Sequence, residues 1–157
     1  MGTIQDMAHT LRIGLIGGYV SITDVVAWAD ALIGENRGEV VPQLFDLALL
    51  RSTDLARAVS LLGEVPGEID RSAVGREIAS LLHRGLVSGT LTEREAARAL
   101  FTAIHEGYSP DDEFESMAYY FDDGVDLALR GVYGNLADLR TEMVEYLCRA
   151  SLPKGSA

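Results

Sequence analysis

A chain of 157 residues, 48 % of them hydrophobic, has the length for one substantial core and the composition to fill it, which excludes a disordered chain. Its formal charge of −11 works against nucleic acid and anionic membrane and favours basic partners. The single cysteine, Cys148, allows no intramolecular disulfide, as expected of a protein of the reducing cytoplasm.

Four prolines, few strand-forming runs and much Ala, Leu, Arg and Glu predict an all-α protein. The first helix is expected from about Ile4 to Leu15, with Met7, Ala8 and Leu11 at helical spacing, ending at Gly17-Gly18. The second starts after Ser21 and buries Val25, Val26, Trp28, Ala29, Leu32 and Ile33. A polar loop from Glu35 to Glu39 leads to Pro42, which suits the first turn of a third helix running to Leu50. Ser52 or Thr53 caps a fourth, with Leu55, Ala58, Val59, Leu61 and Leu62 inside. Gly63-Glu64-Val65-Pro66-Gly67 is the clearest break in the chain.

After it the plan returns. A fifth helix runs from Asp70 to about Leu86, and a sixth, capped by Thr92, runs to Gly107. Ser109-Pro110-Asp111-Asp112 reads as the start of a seventh, carrying Phe114, Met117, Ala118, Phe121, Val125, Leu129 and Val132. Asn135, with Asp138 three positions on, caps an eighth through Leu136, Leu139, Met143, Tyr146 and Leu147; residues 153–157 form a tail. In this last helix Cys148, among Val144, Leu147 and Leu152, is expected to be a buried thiol.

One stretch occurs twice. Gly14 to Asp24 and Gly85 to Glu95 share the pattern G-L-[IV]-x-G-x-[VL]-[ST]-x-x-[DE]: a helix end, a glycine turn, then a capping box in which a hydroxyl and a carboxylate three residues later satisfy each other's backbone amides. The expected architecture is thus a single all-α domain over 1–157 of about eight helices, built as a duplicated four-helix unit (4–63 and 70–150) and packed as a compact bundle or a short helical-repeat stack.

Charge distribution points to a candidate site. From Ala99 to Leu129 there is no lysine or arginine but eight acids. Asp111, Glu115, Asp122 and Asp126 fall on one helical face with Tyr119, and Tyr108, Tyr120 and Asp123 are close by. Acids in the first turn are explained by the helix dipole; Asp122, Asp123 and Asp126 lie too far along and repel one another. The plain account is a solvated face whose tyrosines lean inward. The functional one is a docking surface for a basic protein, in which carboxylates speed encounter and rigid aromatics anchor it. On that reading the partner-binding residues are Tyr108, Asp111, Glu115, Tyr119, Asp122, Asp123 and Asp126.

Other chemistry finds little support. Asp122-Asp123-Gly124-Val125-Asp126 reads D-D-x-x-D and resembles the magnesium-holding motif of isoprenyl-diphosphate enzymes, but that family is far longer and carries a second metal motif absent here. His9, His83 and His105 are scattered, without the spacing of zinc ligands. No catalytic residue, cofactor or resident metal is expected. No run reaches the ~20 apolar residues that span a bilayer, and Asp6 with no basic start fits no signal peptide, so no membrane role is expected.

The opening from Leu11 to Leu32, with its G-L-I turn and its V-V-A-W-A-D helix, resembles the N-terminus of small bacterial α-helical immunity proteins. That resemblance implies a small acidic cytosolic protein that binds a cognate toxin, often a basic nuclease, and blocks its site. The chain carries no signature of a toxin class. Three functions are therefore set against each other: an immunity-type binding module, a small magnesium-dependent helical enzyme using Asp122, Asp123 and Asp126, and a helical-repeat scaffold. Self-association is compatible with any of them.

Overall fold

The computed structural model describes residues 3–35 and 41–153; of the polar loop expected from Glu35 to Glu39, Glu35 instead closes a helix and the rest, like the tail from Lys154, lies outside the described residues. Among the described residues there are eight α-helices and no strand. They are α1 (Ile4–Gly17), α2 (Ile22–Glu35), α3 (Pro42–Ala48), α4 (Leu55–Gly63), α5 (Arg71–Ser88), α6 (Glu93–His105), α7 (Glu113–Leu129) and α8 (Leu136–Ala150). The chain divides into two compact units, Gly2–Ile69 and Asp70–Ala157, with four helices in each.

In the first unit α1 packs on α4, α2 on α3, and α3 on α4. Helix α1 begins with a capping box absent from the sequence-based expectation: the Asp6 amide donates to Thr3 Oγ1 (3.1 Å) and the Thr3 amide to Asp6 Oδ2 (3.1 Å). It ends at Gly18, whose φ of +79° is the left-handed conformation that favours glycine. The Tyr19 and Val20 amides then fold back to the Gly14 carbonyl at 3.0 and 3.1 Å. Gly14 has to lack a Cβ here, because one would overlap the Val20 side chain. Ser21 and Asp24 close the expected box, amide to side chain in both directions, at 2.9 and 3.1 Å. Helix α2 buries Val25 and Ala29, while Trp28 is only half-buried.

Local expectations fail in this unit at α3 and at α4, where Leu55, expected inside, is 49 % exposed because the inner stripe is Ala58 and Leu62. Helix α3 stops at Ala48, and Leu49, expected inside it, is 80 % exposed. Helix α4 is entered through a turn in which the Arg51 amide donates to Asp54 Oδ2 at 2.8 Å. Asp54 therefore takes the N-cap position, two residues after Ser52 and one after Thr53.

The second unit uses the same pairings: α5 on α8, α6 on α7, and α7 on α8. Asp70 caps α5 by accepting from the Ser72 and Ala73 amides. The corner between α5 and α6 repeats the first in detail. Gly89 has φ +80°, the Leu91 amide returns to the Gly85 carbonyl (3.0 Å), and the Leu91 side chain occupies the space a Cβ on Gly85 would need. Thr92 and Glu95 form the capping box. Helices α2 and α6 begin seventy-one positions apart, as do α3 and α7. Beyond that the offset grows by ten residues, the difference between seven-residue α3 and seventeen-residue α7.

The longer α7 is what distinguishes the second unit. It ends at Leu129, and a turn with positive-φ glycines at 131 and 134 leads to α8. Leu129 and Val132, expected on the apolar face, are exposed at 47 % and 64 %, because the helix ends before Val132 and the stripe of Phe121 and Val125 already completes the inner face. Cys148 is exposed as well. Met143, Tyr146, Leu147 and Ala150 form the inner stripe of α8, and Cys148 stands one residue past Leu147, about 100° round the helix.

Candidate functional site

Helix α7 is held by four side chains. Phe114, Ala118, Phe121 and Val125, at successive spacings of four, three and four, are all buried. The Tyr146 ring of α8 lies 6.4 Å from Phe114 and 6.0 Å from Phe121, centroid to centroid. Burial, then the nearby carboxylates of Asp111 and Glu113, push the Tyr146 phenol well above the ordinary tyrosine range. With its inner stripe committed, α7 presents the rest of its circumference along two flanks.

The flank beside α6 carries Glu115, Tyr119, Asp122 and Asp126 on one stripe, as the spacing requires. Tyr119 is 45 % exposed and sits edge-to-face on Phe101 at 5.4 Å, and Phe101 in turn meets His105 at 4.5 Å. This small aromatic cluster holds the Tyr119 ring against α6 while the residue stays about half exposed. Asp126 lies 3.8 Å from Arg94 of α6 and 3.6 Å from Arg130. The repulsion expected among the late carboxylates is thus partly offset by one arginine distant in sequence and one just past the acidic stretch.

The flank beside α8 carries Tyr120 and Asp123. The Tyr120 hydroxyl donates to Glu142 Oε2 at 2.8 Å, and this hydrogen bond to a carboxylate raises the phenol's pKa above its usual 10.0. Between α7, the turn after it and the start of α8 lies an open hollow of about 520 Å³. Its wall includes Tyr120, Asp123, Tyr133, Asp138 and Glu142, and Tyr133 is 78 % exposed.

Two residues expected on the docking surface are elsewhere. Tyr108 is 4 % exposed, with the Arg71 guanidinium 5.1 Å from its ring centroid. The same guanidinium donates to the Glu106 and Gly107 carbonyls at 3.1 and 3.2 Å, so Arg71 and Tyr108 clamp the turn between α6 and α7. Pro110 fixes that turn to α5 through Gly75, where an added Cβ would lie 2.5 Å from the proline nitrogen. Asp111 precedes α7 and is half-buried; its Oδ1 accepts from the Phe114 amide at 3.0 Å. That contact caps the helix, which starts at Glu113 after an N-cap at Asp112 rather than at Ser109.

The expected set therefore divides. Glu115, Tyr119, Asp122 and Asp126 come together beside α6, Asp123 turns to the α8 side, and Tyr108 and Asp111 belong to the turn. Tyr133, Asp138 and Glu142 were missed. Tyr133 stands just beyond the acidic stretch and the other two lie on the next helix, so only the pairing of α7 with α8 brings them to Tyr120. Among the described residues, no group of three or more His, Cys, Asp or Glu side chains converges to hold a metal ion, and no helix is long and apolar enough to cross a membrane. No family model, no curated protein and no solved structure matches this chain.

Proposed function

We propose that the protein is a binding module of the immunity type, which docks the flank of α7 beside α6 on a basic protein such as a toxin and acts in the cytoplasm. The observation that carries this reading is Tyr119. Its ring is anchored on Phe101 and about half exposed, on a stripe with Glu115, Asp122 and Asp126. An aromatic whose orientation is already fixed loses little conformational freedom on binding, and carboxylates around it favour a cationic partner surface. The net charge of −11 adds long-range attraction of the same sign.

The test is capture by the tagged protein from its native cell lysate at low and high salt, beside the Tyr119→Ala and Asp122→Lys variants. The reading expects one stoichiometric basic protein, retained at low salt, released at high salt and lost from both variants. An empty column, or a partner held equally by the variants, overturns it.

A further inference from the structure

The hollow between α7 and α8 combines an apolar floor, aromatic walls and a rim of one charge. Its floor forms where the two helices approach at Gly124, a Cβ on which would meet Leu139 at 3.0 Å. Tyr120 and Tyr133, 49 % and 78 % exposed, supply the rings. Asp123, Asp138 and Glu142 supply three carboxylates, and among the described residues no basic side chain lines the space. The N-terminus of α8 opens nearby, yet the Ala137 and Asp138 amides already donate to Asn135 Oδ1 at 2.7 and 3.3 Å. An anion would find those donors occupied and three carboxylates opposing it. A cation meets the opposite conditions.

We propose that this hollow is a guanidinium pocket that takes an arginine side chain of the partner protein. The proposal rests on the protein-binding reading and names the partner chemistry at a second point of the same helix. A guanidinium is planar, so it can stack on a tyrosine ring while its N–H groups reach carboxylates at the edge. Its aliphatic stem covers the Leu139 floor, which a compact hydrated ion could not do. At about 520 Å³ the hollow has room for one long side chain and the backbone that bears it. Tyr120 is set for this role by its hydrogen bond to Glu142, which fixes ring and carboxylate together.

The test titrates the full-length, isotopically labelled protein with Nα-acetyl-arginine methylamide by NMR, beside the neutral citrulline analogue and the lysine analogue. Saturable amide shifts are expected from Tyr133 to Leu139 with arginine, none with citrulline, and weaker ones with lysine. Tyr133→Ala and Asp123→Asn, both at exposed positions, should each weaken arginine binding by about three- to ten-fold. No saturable shift at the hollow, equal binding of citrulline or lysine, or variants that bind arginine as well as the parent would overturn the pocket. The two proposals fail separately. Arginine binding with an empty capture column removes the partner and keeps the pocket, whereas capture lost with Asp122→Lys but no arginine binding keeps the partner and removes the pocket.

Discussion

Gly85 and Gly14 show how much one missing methyl group decides. Each lets the chain double back so closely that Leu91 or Val20 rests where a Cβ would stand. Gly85→Ala should therefore destabilise by about 1–3 kcal/mol, the usual range for forcing a methyl group into filled space. Urea unfolding checks it: the midpoint should fall with the slope unchanged. Glycines are visible in any sequence, but which of the sixteen are obligatory depends on what lies against them. Tyr120 makes the same point for titration. Its hydrogen bond to Glu142 favours the neutral phenol, so the folded protein holds that proton above pH 10.0. The contribution is complete below the unfolded value and disappears as pH rises through the folded one. Glu142→Ala should bring one tyrosine's ionisation back towards 10.0 in an ultraviolet difference titration.

At the scale of the helix, the starts marked by the repeated capping box were legible, whereas those at Thr3, Asp54 and Asp112 were not. A capping box is local: Ser21 with Asp24 and Thr92 with Glu95 sit three residues apart, and the chemistry needs nothing from elsewhere. Thr92→Ala should cost about 1 kcal/mol, measured by thermal unfolding, and Ser21→Ala a similar amount because the two corners match. Ends depend on what the next segment packs against, which is why α3 stops before Leu49 and α7 before Val132. The surface of α7 also separates stability from binding. Tyr119→Ala forfeits the edge contact with Phe101, worth about 1 kcal/mol, and Asp122→Lys, at a half-buried position, should cost no more than about 1 kcal/mol. Denaturation of the two variants beside their capture behaviour would show whether lost binding reflects the surface or the fold.

For the whole molecule, charge acts in two directions. A net charge of −11 repels itself within the fold and attracts a basic partner from outside. Raising salt from about 10 to about 150 mM shortens the reach of both effects, so the melting temperature should rise by about 2–5 °C while partner association slows. Calorimetry and association kinetics on one salt series would test this opposition. Helical periodicity, glycine turns and caps by themselves predicted an all-α fold of about eight helices, the number present among the described residues, and a corner shared by the two halves, because those signals are short-range. They also put Glu115, Tyr119, Asp122 and Asp126 on one stripe, which needs only the helical repeat. Only tertiary structure decided that Tyr108 is buried under Arg71, that Arg94 reaches Asp126, and that Tyr120 meets Glu142. Each of those contacts joins residues on different segments, and the pairing of helices that creates them follows from how buried faces fit together, which no local pattern encodes.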